Sequence, residues 1–187
     1  MIRILSIVVL FFVGAESSYK VNREEAKAAF EYLNKVRLDP GKYSEEIGVK
    51  LDDVNPVPLL RWNDTLARVA EAKALDMGTR NYFAHVDPDG NGINIKMSEA
   101  GYTLDPAFLD KKSSNYFESI SANSDGGVAS IKVLIKDKGV NPPGHRNHLL
   151  GINSFWSNCH DIGIGYAEGS GSDYASYVCI IIAKHGW

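Results

Sequence analysis

The sequence predicts an α+β domain in which helices pack on a mainly antiparallel sheet. Apolar residues recur at helical spacing in the first half of the chain, and two runs rich in Ile, Val and Tyr close it. Within the last run, Ile180-Ile181-Ile182 reads as a strand buried on both faces, hence central in its sheet. Length and composition agree with one soluble globular domain: 187 residues, 44% apolar and 23% charged. A net charge of −3 gives no broad basic field, which argues against a nucleic-acid partner. Two cysteines are too few for a disulfide scaffold or a four-thiolate zinc site.

The elements follow in order. Arg3 precedes an apolar run, Ile4 to Val13, interrupted only by Ser6 and too short to cross a membrane. Val13-Gly14-Ala15 then offers the small residues of a cleavage site, so residues 1–17 read as a secretory leader and 18–187 as the exported domain. Asn22 caps a helix to Arg37, with Glu25 completing a capping box and Ala26, Ala29, Phe30, Leu33 and Val36 forming its apolar stripe. Asp39-Pro40-Gly41 ends that helix, and residues 48–59 read as loop. A second helix starts at Asn63 or Asp64 and runs to about Arg80; Lys73 sits awkwardly on its inner side. Tyr82 to Asn123 shows little periodicity. A third helix covers Gly127 to Asp137, and His145 to Leu150 forms a short helical turn. Asp161 to Ala167 and Tyr174 to Ala183 are strands joined by a Gly- and Ser-rich hairpin loop. Gly163 and Gly165 in the first of them leave room for a helix to pack closely on the sheet. Export makes Cys159 and Cys179 a candidate disulfide, with two buried thiols the alternative.

Candidate chemistry centres on histidine. Asp87 to Gly92 opens like a calcium loop, but Asn94 and Ser98 stand where an apolar residue and a Glu are needed, so a polar turn is expected. No Gly-x-Ser-x-Gly, His-Glu-x-x-His or phosphate-cradling loop is present. Of the five histidines, His85 leads into the polar turn and His145 opens a short helix after a glycine. Glu118 is a lone acid among apolar neighbours and needs a partner.

Phe83-Ala84-His85-Val86-Asp87-Pro88-Asp89-Gly90, the Glu118 segment, Gly144-His145-Arg146-Asn147-His148-Leu149-Leu150 and Ile162-Gly163-Ile164-Gly165-Tyr166 together resemble the CAP superfamily. This superfamily of cysteine-rich secretory, antigen 5 and pathogenesis-related proteins is also known by its SCP-like extracellular domain. Leu33 to Arg37 and Leu60-x-Trp62 resemble its first two helix motifs, and the Gly-His-Arg form with Asp137-Lys138-Gly139-Val140 resembles the microbial branch. The resemblance implies a three-layer α-β-α sandwich whose cleft is lined by two histidines and two acids that hold a divalent ion, often zinc. His85, Glu118 and His145 fall on three of those positions, with Asp137 the nearest candidate for the fourth. Arg146, His148 and Ser119 are then expected to support the cleft around them. The family's Gly-Glu-Asn is here Phe117-Glu118-Ser119, and His148 replaces an Asn, changes that point to a weak or optional ion.

The function this implies is a secreted binding or interaction module, a monomer meeting an extracellular ligand or cell-surface component. The alternatives are a zinc-dependent hydrolase, in which Glu118 or Asp137 activates water, and a lipid- or sterol-binding carrier.

Overall fold

The computed structural model describes residues 18–184 and 186. The expected leader over residues 1–17 lies outside the described residues, as does His185. Among the described residues, no helix is long and apolar enough to cross a membrane. The elements are β1 (Ser18–Val21), α1 (Arg23–Leu38), α2 (Ser44–Ile47), β2 (Arg61–Trp62), α3 (Asp64–Thr79), α4 (Ile93–Glu99), β3 (Glu118–Ala122), α5 (Gly127–Lys136), α6 (Gly144–Leu150), β4 (Asp161–Ser170) and β5 (Ser176–Ala183).

The strands form one five-stranded sheet in the order β1-β4-β5-β3, antiparallel throughout except that β2 pairs parallel with the start of β4. β5 is central, with every residue buried, as the isoleucine triplet requires. Alternation along the strands divides two cores. Ile162, Ile164, Val178, Ile180 and Ile182 pack with α1, α5 and α6 on one face. Ala167, Tyr177, Cys179 and Ile181 pack with α3 and α4 on the other. The result is an α-β-α sandwich.

α3 lies against β4 backbone to backbone. A Cβ on Gly163 would lie 2.1 Å from the Leu66 carbonyl carbon, and one on Gly165 would lie 2.2 Å from that of Ala70. Only glycine lets the helix backbone sit this near the sheet.

Asn63 caps α3 by accepting from the Thr65 and Leu66 N–H groups, and Asn22 caps α1 by accepting from Glu24 and Glu25. The capping box expected at α1 does not close. The Glu25 carboxylate instead accepts from the Gly127 N–H at 2.7 Å, and the Asn22 N–H donates to the Tyr166 carbonyl. Glu25 thus ties α1 to the first turn of α5, a long-range use that a local pattern does not reveal.

Two other expectations are corrected. The stretch from Tyr82 to Asn123 is not devoid of regular structure: it holds α4 and β3. Cys159 and Cys179 are free thiols, not a disulfide. Cys159 belongs to the core under α1 and α6, whereas Cys179 faces α3, so the sheet separates them. Burial raises the Cys159 thiol to about 11 and pushes Cys179 up as well, which makes both inert.

Gly165→Ala should destabilise the protein by about 3 kcal/mol or more, because helix backbone cannot move aside as a side chain can. Chemical denaturation measures this; a loss below about 1 kcal/mol would show that α3 has slack.

Candidate functional site

The candidate residues meet on both sides of β3. They form two imidazole–carboxylate pairs. His85 Nδ1 and Glu118 Oε2 are 2.7 Å apart, and His145 Nδ1 and Asp137 Oδ1 are 2.8 Å apart. In each pair the carboxylate is buried and the imidazole reaches solvent: side-chain exposure is 43% for His85 against 0% for Glu118, and 31% for His145 against 2% for Asp137. Anchoring Nδ1 on a carboxylate fixes the ring and leaves Nε2 as its free functional atom.

The first pair depends on α3. Lys73 lies on the apolar stripe of that helix and is 2% exposed. Its Nζ donates to the carbonyls of Ala84 at 2.7 Å and His85 at 3.1 Å, and it lies 4.8 Å from the Tyr82 ring centroid. A buried Lys needs such acceptors, and here they belong to the loop that carries His85. The loop is closed further on by Asp87, which accepts from the N–H groups of Asp89 and Asn91 and pairs with Lys96 at 2.7 Å. Burial opposes Asp87 ionisation, but Lys96 and Asn91 hold its carboxyl well below the usual range. The calcium-like motif is therefore a self-satisfied polar turn, with a lysine on its carboxylate.

The second pair is built by reciprocal capping. Asp137 ends α5 in the left-handed region at φ 47°, and its Oδ2 accepts from the His145 N–H at 2.9 Å. Arg146 returns the favour, donating from Nε to the Ile135 carbonyl and from Nη2 to the Lys136 carbonyl, both at 2.7 Å. Each helix end thus satisfies the other's orphan groups. Below them, Ser119 Oγ and His148 Nδ1 are 2.7 Å apart, with both residues buried, and the His148 ring lies edge-on to Trp156 at 4.6 Å. Arg146 thus caps the end of α5, and Ser119 and His148 pair with each other out of solvent.

The four expected ligands form two pairs in this structure rather than one cluster. Every carboxylate oxygen already has a partner: Glu118 Oε1 takes the Cys179 thiol, Glu118 Oε2 takes His85, and both oxygens of Asp137 take His145. Among the described residues, no three His, Cys, Asp or Glu side chains stand close enough to hold a metal. Two imidazole Nε2 atoms remain, fewer than the three protein ligands of a catalytic zinc.

Beside the pairs runs a cleft of about 470 Å³, floored by Ile120, Ser121 and Ala122 of β3 and walled by Phe83 and Val133, with Asp137 and His145 at its margin. Lys73 is the functional residue that sequence reasoning left unexplained. Its signal was present as a charged residue on an apolar helical stripe.

An α-β-α sandwich with paired imidazoles and acids beside an open sheet edge defines the class of CAP domains. The chain belongs to this family: the model of the CAP, cysteine-rich secretory protein family matches residues 30–181. Two solved structures are similar in fold. One is an extracellular protein containing an SCP domain from Bacillus anthracis str. Ames, with a TM-score of 0.56, 18% identity and coverage of 87% of this chain. This chain spans only 41% of that protein. The other is an outer surface protein from Borrelia burgdorferi, with a TM-score of 0.61, 13% identity and coverage of 91% of this chain and 99% of that one. No curated protein matches the chain.

His148 gives the site a pH signature. Burial lowers its pKa from 6.5 to about 3; the nearby Ile182 backbone opposes this, and His145, Arg37 and His85 reinforce it. The unfolded chain therefore binds more protons between those values, and stability falls as pH drops from about 6.5 toward 3. The slope from this one group is at most about 1.4 kcal/mol per pH unit. His148→Asn should flatten the acid limb by that amount in denaturation midpoints measured from pH 7 to 4.5; an unchanged limb would mean that His148 protonates freely.

Proposed function

We propose that the protein is an exported CAP-domain binding module that meets an extracellular or cell-surface ligand through the cleft beside β3. One observation carries this reading: both imidazoles are oriented by buried carboxylates and kept accessible, and one of them, His145, lines a cleft with exposed apolar walls. Such preorganised polar groups in an apolar cleft are the usual form of a binding site. The hydrolase reading draws less support, because Glu118 and Asp137 spend their oxygens on holding His85 and His145 and have none aimed at a water. A divalent ion is accordingly an optional guest of the two Nε2 atoms.

The test uses labelled protein and intact cells of the producing organism. The wild-type protein should bind the surface saturably, and the double variant His85→Ala/His145→Ala should bind at least about tenfold more weakly, the loss of one charge-assisted contact. EDTA should leave both Tm and binding unchanged. Equal binding by the double variant would remove the cleft from the function, and a Tm that falls with EDTA would restore a structural metal.

A second reading, the lipid- or sterol-binding carrier, is favoured by a specific groove. Between α1 and α3 lies a space of about 500 Å³, with Ala26, Phe30, Trp62 and Ala67 in its lining and Lys27 and Arg68 among its charged residues. Trp62 is 38% exposed there and packs edge-on against Phe30. An acyl chain with an anionic head matches those surfaces. Fluorescence of cis-parinaric acid should rise on mixing and fall when Ala67→Trp fills the groove; no enhancement with wild-type protein would end this reading.

A further inference from the structure

β3 is the edge strand of the sheet, and its register shows which main-chain groups it leaves open. The Ile182 N–H donates to the Phe117 carbonyl and the Asn123 N–H to the Ser176 carbonyl. Each pair continues the β3–β5 register by one residue, one at either end. Antiparallel pairs alternate between bonded and non-bonded positions. Ser119 and Ser121 therefore point their main-chain groups at β5, while Ile120 and Ala122 point theirs away from the sheet. Ile120 and Ala122 are also floor residues of the cleft. These outward main-chain groups thus face the same space that His145 borders.

Three further features of that space ask for an occupant. Ser121 is 5% exposed, yet its Oγ has no hydrogen-bond partner among the described residues. A buried hydroxyl left so is costly unless something supplies a bond. The two walls are unusually apolar for solvent-facing positions: Phe83 is 44% exposed and Val133 57%. Phe83 is held in place by an edge-on contact with Tyr174 at 5.8 Å. Finally, the charges at the margin are Lys136, Lys138 and His145 against Asp137, and Asp137 is spent on His145. The margin is left positive.

We propose that this edge is a strand-addition site: β3 accepts a short extended peptide, apolar at alternate positions and carrying an acidic residue, as a further strand of the sheet. The peptide main chain pairs with Ile120 and Ala122. Its side chains alternate between the Phe83 wall and the Val133 wall, as the two-residue period of a strand dictates. Its acid meets the Lys138 and His145 end. This inference rests on the reading above that the cleft is the binding face, and it names the chemistry of what binds there.

The probe is an acetylated hexapeptide amide of alternating valine and threonine with one aspartate, titrated into ¹⁵N-labelled protein. The expected result is saturable shifts of the Ile120 and Ala122 amides, with their hydrogen exchange slowed about tenfold or more. The same peptide N-methylated at alternate residues should lose this effect, since it cannot pair along the edge. A lysine-for-aspartate peptide should bind about fivefold more weakly, the worth of one modest polar contact. Ala122→Pro removes one outward N–H at an edge position that tolerates proline, so it should keep the fold and lower affinity by about fivefold. Should that variant fail to fold, the N-methylated peptide decides alone. No perturbation of β3 at 5 mM peptide, or equal binding of the N-methylated form, overturns strand addition. Concentration-dependent protection of the same amides without peptide overturns it in favour of a second copy of the chain. Shifts at His85 and His145 without protection of Ile120 and Ala122 overturn strand addition but leave the cleft reading standing. Shifts confined to the α1–α3 groove overturn both.

Discussion

The arrangement depends on how closely α3 lies on β4. Helices normally rest on a sheet with side chains between them, but at Gly163 and Gly165 the helix backbone itself is the contact. That approach fixes the height and rotation of α3. Leu66, Ala70, Ala74 and Met77 then fall into the core under β5, and Lys73 falls in with them. A lysine so placed has no route to water and must find acceptors nearby. It finds the Ala84 and His85 carbonyls, and the loop that supplies them is thereby positioned. The site on one side of β3 is thus a consequence of two glycines on β4, transmitted through one helix and one amine.

The other side of β3 is fixed by a different economy. α5 and α6 are short, and each has an end that faces the other. Asp137 and Arg146 exchange capping bonds across that junction, so the residue whose left-handed backbone ends α5 also caps the start of α6 and holds the His145 ring with its carboxylate. A single side chain thus carries several geometric duties. The same holds for Glu118, buried between the Cys179 thiol and His85. Both acids act as fixed supports, and it is the imidazole Nε2 atoms that face outward.

Much of this was legible in the residues. The stripe of α1, the caps at Asn22 and Asn63, the central β5 and the purpose of Gly163 and Gly165 each follow from periodicity or from a local rule. So does the nomination of His85, Glu118 and His145, given the family motifs. What was not legible was pairing at a distance. Glu25 looks like the partner of Asn22 in sequence but serves Gly127, far along the chain. β3 escaped notice because its alternation, Glu118-Ser119-Ile120-Ser121-Ala122, puts a carboxylate on an inward position that His85 and the Cys179 thiol make tolerable. The period of two shows that Cys179 faces away from Val178 and Ile180. It does not show on which face Cys159 lies, because Cys159 precedes its strand. That gap is what allowed a disulfide between residues on opposite sides of the sheet to be expected.

Edge strands with open main-chain groups invite unlimited sheet extension, and proteins blunt them with short length and inward charge. β3 has both devices: it is five residues long and carries Glu118 on its inner face. The outer edge of β4, by contrast, is shared between β2 at its start and β1 at its end. The two edges are therefore not equivalent. One is capped by the chain's own short strands; the other is kept too short and too charged to propagate a sheet, yet opens Ile120 and Ala122 to a cleft with apolar walls. A strand edge protected against stacking in this way is suited to one brief segment at a time. In this fold His145 stands where the end of such a segment would fall.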